Sequence, residues 1–299
     1  MKKLLQESRE SLVRRASLLR LSAVSLAENM RSGSFRSLYR GHGIEFNGVR
    51  EYLPGDDVRS IDWNVTARND KPYIKTFEEE KELPVFLIID QSFSMGTSSQ
   101  KKNRLQQACE AGALLVLASE QNSSPVGMVL FDGKISFSCE PRGGQLQTML
   151  LLSRLDEIPQ NAVSGTALPQ ALRGASKLLR KRSLVFVFSD FRCTEWEQPL
   201  ALLASQNDVV AVRITDPMDS SLPDVGTVNF SDSESGIHAF LPTSSENLKN
   251  EWRDDNNFKR EMWKNYCLTH ACRPLVMSTD DEPLTVLLRF FSRKERRKQ

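Results

Sequence analysis

Five oxygen-bearing side chains stand out by type and spacing: Asp90, Ser92 and Ser94 at alternate positions, then Thr166, then Asp190. Alternate residues of extended chain share a direction, so one carboxylate and two hydroxyls would face a common space. Thr166 follows Ser164 and Gly165 on a loop where the glycine permits a tight turn, and Asp190 supplies a second carboxylate. Such oxygens are hard donors, and magnesium prefers an octahedron of them while keeping part of its water. The chemistry implied is binding of one divalent cation, magnesium or manganese, by Asp90, Ser92, Ser94, Thr166 and Asp190. A plainer role exists for each residue. Ser92 or Ser94 could cap a following helix, and Asp90 could accept backbone N–H groups in a turn.

Other chemistries fit less well. An aspartate after a first strand is the nucleophile of haloacid-dehalogenase-like phosphatases, which also bind magnesium. That reaction usually needs a second aspartate two residues later as general acid, and the Ser92 hydroxyl cannot replace it at neutral pH. A serine-hydrolase elbow around Ser94 would need glycine at position 92, and only His42, His238 and His270 could serve as base. Cys267, His270 and Cys272 could approach a zinc ion, but no fourth ligand is evident, and a helix end with buried thiols is the reading adopted. The expectation is a binding protein and not an enzyme.

The elements that must position these residues follow from periodicity. Val85 to Ile89 is a continuous apolar run of strand length, and Asp90 ends it. A helix is expected over Lys102 to Gln121, with Leu105, Ala108, Ala111, Leu115 and Ala118 on one face. Strands are expected at Val126 to Phe131 and Ile135 to Cys139, around an Asp132-Gly133 turn. Helices should cover Gln145 to Asp156 and Ala167 to Lys181, a strand Ser183 to Phe188, a helix Glu195 to Ser205 and a strand Val209 to Ile214. A hairpin over Thr227 to Leu241, turning near Glu234 to Gly236, precedes a helix at Glu246 to Leu268. A strand near Leu275 to Ser278 and a helix at Glu282 to Arg293 complete the pattern. This alternation predicts an α/β fold with an open, mostly parallel sheet, whose ligand site lies beyond the carboxyl ends of the strands.

Three stretches divide the chain of 299 residues: 1–30, 31–82 and 83–299. The first lacks Gly and Pro and carries Leu5, Leu12, Ala16, Leu19 and Ala27 at helical spacing among arginines. It predicts an amphipathic helix packed on the body of the protein. The second is rich in glycine and short extended runs, and ends in the charged run Glu78 to Glu82. In it Pro54-Gly55-Asp56-Asp57 reads as a turn opening a short helix, with Arg59, Asp62 and Arg68 as ion-pair partners and Trp63 as a packing anchor. The third is the α/β domain, with a basic tail from Arg293 to Gln299.

Forty basic against 38 acidic side chains leave a formal charge of +2, which is not the balance of a dedicated nucleic-acid binder. Five scattered cysteines fit a reducing compartment. Glu7, Arg9, Glu10, Arg14 and Arg15 interrupt any signal-peptide core, and no apolar run nears the roughly 20 residues of a membrane span. A cytoplasmic protein is expected.

Taken together, Asp90-x-Ser92-x-Ser94, Thr166 and Asp190 resemble the metal-ion-dependent adhesion site of von Willebrand factor A domains. The element order from residue 83 to about 295 is similar to that Rossmann-like fold. The resemblance implies that Ser92, Ser94 and Thr166 offer hydroxyl oxygens to magnesium, that Asp90 and Asp190 act directly or through water, and that a partner's carboxylate takes a remaining position. One departure is Phe191, which follows Asp190 where many such domains have glycine. Upstream, Glu45-Phe46, Arg50-x-Tyr52, Pro54 to Asp57, Arg59, Ile61-Asp62-Trp63, Thr66-Ala67-Arg68 and Lys75 to Glu80 resemble the signature of the bacterial domain-of-unknown-function family numbered fifty-eight. That resemblance implies an A-type protein-interaction module encoded beside a MoxR-class AAA+ ATPase, a class thought to assemble or activate other complexes. Many members carry membrane helices, and none is expected here.

Overall fold

The computed structural model describes residues 41–69, 71–80, 83–99, 101–157, 165–222, 224–231 and 238–292. The helix expected before residue 31, the 234–236 turn, Ser164 and the basic tail lie outside them.

The chain enters through an antiparallel pair, β1 (Gly41–Glu51) and β2 (Tyr73–Glu80). Between them, Asp57 caps a 3-10 turn (Val58–Ser60), and Asp62 caps the single-turn helix α1 (Trp63–Thr66) by accepting from the Asn64 and Val65 amides. The ion pair that closes this loop joins two residues outside the expected Arg59, Asp62 and Arg68 set. Arg50 reaches Asp56 with two bonds of 2.8 and 2.7 Å, a bidentate geometry that fixes both side chains. Trp63 is 68% exposed and is not the packing anchor expected of it. It opens a single helical turn that presents it to solvent, and Ile74 of β2 is the buried side chain instead.

From Val85 onward the chain builds one six-stranded sheet. Its elements are β3 (Val85–Asp90), the short helix α2 (Phe93–Gly96), α3 (Arg104–Gln121), β4 (Val126–Phe131), β5 (Ile135–Arg142) and α4 (Gln145–Leu155). Then follow α5 (Leu168–Leu178), β6 (Leu184–Ser189), α6 (Glu197–Gln206), β7 (Asp208–Thr215) and the single turn α7 (Pro217–Ser220). A side hairpin of β8 (Thr227–Ser231) and β9 (His238–Pro242) leads to α8 (Glu246–Thr269), β10 (Arg273–Ser278) and α9 (Pro283–Ser292). The strand order is β10-β7-β6-β3-β4-β5, parallel throughout except for the hairpin partner β5.

Helices cover both faces, which is why β3, β4 and β6 are apolar at nearly every position. Val85, Leu87 and Ile89 of β3 pack toward α3, α4 and α9, while Phe86 and Ile88 pack toward α5, α6 and α8. Asn103 starts α3 with a reciprocal capping box to Gln106, so this helix begins where the loop carrying Ser92 and Ser94 ends. Gly127 marks a bulge opposite β5. A Cβ there would lie 2.6 Å from the backbone nitrogen of Pro141, so only glycine fits. Among the described residues, no helix is long and apolar enough to cross a membrane.

Candidate metal centre at the strand ends

Strand order reverses at β3. The chain runs from β3 to β4 on one side, and later returns to β6 on the other. Loops leaving the carboxyl ends at such a switch point diverge and leave a crevice between them. Asp90 ends β3 and Asp190 directly follows β6, so the register that pairs Ile89 with Phe188 sets the two carboxylates on neighbouring strands.

Both carboxylates are buried, at 2% and 4% exposure. Asp90 Oδ1 accepts the Ser92 amide at 2.9 Å, and Oδ2 accepts the Ser189 hydroxyl at 2.7 Å. Burial, and then the charge of Asp190, push the Asp90 carboxyl up to about 7, although these hydrogen bonds pull the other way. Asp190 Oδ1 accepts the Arg192 amide at 3.2 Å, but its buried Oδ2 has no hydrogen-bond donor among the described residues, the Arg192 Nε standing 3.8 Å away. A buried carboxylate oxygen without a donor, beside a second carboxylate, is an arrangement that a cation would stabilise.

The hydroxyls support the same fit. Ser92 occupies the cap position of α2 but makes no side-chain cap bond; its Oγ lies 3.2 Å from Ser94 Oγ. The capping role that could have explained this serine is therefore absent, whereas the turn bond that could have explained Asp90 is present. Both serines are buried while Phe93 between them is 58% exposed. Thr166 is half-buried, and Gly165 before it takes φ +92°, a left-handed conformation that favours glycine. The loop is fixed to the same sheet end because the Ala167 amide donates to Asp132 O at 2.7 Å, just past β4. Thr166 Oγ1 accepts the Leu168 amide at 3.2 Å, and no hydrogen bond joins it to the other four residues among those described. Asp90, Ser92, Ser94 and Asp190 are thus brought together through direct contacts or the paired strands β3 and β6, whereas Thr166 lies at the same end of the sheet on a loop docked past β4.

Among the described residues, no three or more His, Cys, Asp and Glu side chains group where they could hold a metal ion. A cation here would have two carboxylates at most, and its remaining ligands would be hydroxyls and water, a hard set that suits magnesium. At the other candidate, His270 Nδ1 lies 3.0 Å from Tyr266 O, its ring stacks on Tyr266, and Cys267 and Cys272 are buried free thiols, as expected of a helix end.

Phe191 is marked in the sequence as a departure from glycine, whereas Ser189, Arg104, Arg192 and Asp219 are not picked out from it. Phe191 adopts φ +52°, taking the left-handed turn that glycine would give. That conformation costs about 1–2 kcal/mol for a residue with a Cβ. It is offset by burial of the ring against Trp196 at 5.3 Å and Trp263 at 5.6 Å. Ser189 joins Asp90 to the Asp190 loop by also accepting the Phe191 amide at 3.1 Å. A polar residue closing the apolar run of β6 was its one visible signal. Arg104, Arg192 and Asp219 link the loops from farther out, and no local pattern marks them.

A mostly parallel sheet in this order, with one antiparallel edge and helices on both faces, is a von Willebrand A-like, Rossmann-type fold. Solved structures with a similar course include the von Willebrand A domain of SpRpn10, 14% identical over 70% of this chain and 95% of that one, with a TM-score of 0.39. Another is the conserved hypothetical protein BatB from Bacteroides thetaiotaomicron, 19% identical over 63% of this chain and 98% of that one, with a TM-score of 0.42.

The family described as protein of unknown function DUF58 matches residues 48–262, and the chain belongs to it. Uncharacterised proteins of Mycobacterium bovis and Mycobacterium tuberculosis are each 31% identical over 224 residues, covering 73% of this chain and 70% of theirs.

Proposed function

We propose that this chain is a magnesium-dependent protein-interaction module that partners a MoxR-class AAA+ ATPase, alone or with the client that the ATPase assembles or activates. The observation that carries the reading is the buried Asp90 and Asp190 pair, with one Asp190 oxygen lacking a donor and the Ser92 and Ser94 hydroxyls in the same crevice. Asp90, Ser92, Ser94, Thr166 and Asp190 would hold the ion, which when bound supplies a Lewis-acidic position for a carboxylate of the partner. The chain's own residues do the rest. Asp90 is held by Ser92 and Ser189, and Thr166 keeps a lone pair while it accepts from Leu168. Exposed Phe93 offers apolar contact beside the ligands, and half-exposed Arg192 adds positive charge near the mouth. This is binding chemistry, and the proposal includes no catalysed reaction. Cytoplasmic residence is part of the same proposal and rests on the five scattered cysteines, which fit a reducing compartment.

The experiment is a pull-down of the full chain with a purified MoxR-class ATPase, with and without chelator. Thr166→Ala removes a neutral ligand without adding bulk and should weaken the complex sharply, as chelator should. Thr166→Ser keeps the oxygen and should largely preserve it. A complex indifferent to chelator and to Thr166→Ala would contradict the proposal and move the contact to the segment from Gly41 to Glu82.

A further inference from the structure

The short turn α7 holds one residue through which two separate loops of the centre are joined. Asp219 Oδ1 accepts from Arg104 Nη2 at 2.7 Å and from Arg192 Nη2 at 2.6 Å. Its other oxygen is committed: Oδ2 accepts the Asp216 amide at 2.9 Å in a capping box that holds the turn itself. Neither oxygen can move without breaking a bond.

What each arginine does at its other end gives the contact its meaning. Arg104 is 4% exposed, and its Nη1 donates to Ser94 O at 3.2 Å and to Thr97 O and Oγ1 at 3.3 Å. It therefore grips the backbone of the loop that carries Ser92 and Ser94. Arg192 sits two residues beyond Asp190, gives its amide to Asp190 Oδ1 and stands 3.8 Å from Oδ2. The sequence Ser94 to Arg104 to Asp219 to Arg192 to Asp190 is a continuous chain of contacts across the mouth of the crevice. It passes through residues that the sequence separates by 115 and 27 positions. At its Arg104 end this network is buried, and an arginine without its partner is costly there, whereas Arg192 at the other end is exposed.

We propose that Asp219 is a positioning residue: through Arg104 and Arg192 it sets the distance between the Ser92–Ser94 loop and the Asp190 loop. It does not touch the cation site and acts through the two arginines and, by its capping box, through Asp216, which accepts from Ser98 and Ser99. The inference rests on the proposed cation site for its effect on magnesium, but its mechanical half, the coupling of the two loops, stands apart from it.

The test uses the full chain and reads two quantities. The first is hydrogen exchange without added metal at amides 95–99, a loop joined to Arg192 through Asp219, by way of Arg104 on one side and of Asp216 on the other. Arg192→Gln should speed exchange there by about two- to thirtyfold, the range over which mutations along a contiguous network shift coupling. In an Asp219→Asn background, where the bridge is already weakened, Arg192→Gln should add little. The second is magnesium affinity by calorimetry, which should fall by a similar factor in Arg192→Gln and be partly restored by Arg192→Lys. Unchanged exchange at 95–99 in Arg192→Gln overturns the inference. So does faster exchange that is fully additive with Asp219→Asn. If Asp219→Asn fails to fold by circular dichroism, the exposed Arg192→Gln variant alone decides. If the wild type binds no magnesium, the cation reading falls, and the exchange measurement still decides the coupling.

Discussion

Ser189 donates its hydroxyl to Asp90 Oδ2 at 2.7 Å, so the last residue of one central strand fixes the carboxylate at the end of its neighbour. Because the same oxygen accepts the Phe191 amide, the loop carrying Asp190 is tied to Asp90 through one side chain. Ser189→Ala should leave Asp90 Oδ2 buried without its donor and destabilise the protein by about 1–3 kcal/mol. Urea unfolding checks this, and a variant equal to wild type would show that the bond contributes nothing.

Phe191 sets strain against packing. Phe191→Gly relieves the left-handed conformation, worth about 1–2 kcal/mol, but deletes a ring buried between Trp196 and Trp263, worth about 3–5 kcal/mol. The net expectation is a loss of about 1–4 kcal/mol in thermal or urea unfolding. A stabilised glycine variant would mean that the ring packs less well than its contacts indicate.

Gly127 leaves no room for a methyl group, since a Cβ there would lie 2.6–2.8 Å from backbone atoms of Cys139, Glu140 and Pro141. Gly127→Ala should force β4 and β5 apart and cost about 1–3 kcal/mol or more. Exchange protection in β5 should drop in the same variant, and intact protection would contradict the argument.

Asp216 gives a pH dependence with a definite sign. Burial pushes its carboxyl up, but hydrogen bonds from Ser99, the Met218 amide and Ser98 together hold it below the usual carboxylate range. A lowered folded-state value means stability that is fully present above the unfolded value of about 3.9 and lost as pH falls through the folded one. Asp216→Asn should therefore be less stable than wild type at neutral pH, with the gap narrowing as pH falls below about 4. Urea midpoints across pH 2.5 to 7 test it, and a gap that widens toward acid would reverse the assignment.

Much of the α/β domain is written in local pattern. Val85–Asp90 and Leu184–Ser189 are buried on both faces, so each reads as an unbroken apolar run, and the polar residues that end them fall where the sheet stops. Asp90, Ser92 and Ser94 were visible because they lie within five residues of one another. What escaped sequence reading depends on distance along the chain or on exposure. Arg104 and Asp219 are 115 residues apart, and nothing near either one announces the other. Trp63 carries the bulk of an anchor, yet a single helical turn cannot bury an indole unless something packs over it. Arg50 and Asp56 pair across a turn in which Asp57 and Asp62 were needed as caps, a division of labour among like charges that composition does not reveal.

The central claim is that the crevice between β3 and β6 holds one divalent cation. Titration calorimetry of the full chain with magnesium, beside Ser94→Ala and Asp90→Ala variants whose fold is verified by circular dichroism, tests it most directly. The account predicts one ion per wild-type chain, weakened binding in Ser94→Ala and none in Asp90→Ala. Saturation with magnesium at a hundredfold excess over the dissociation constant should also stabilise the wild type by about 2.7 kcal/mol. Binding that survives undiminished in folded Asp90→Ala, or a wild type that takes up neither magnesium nor manganese, would contradict it.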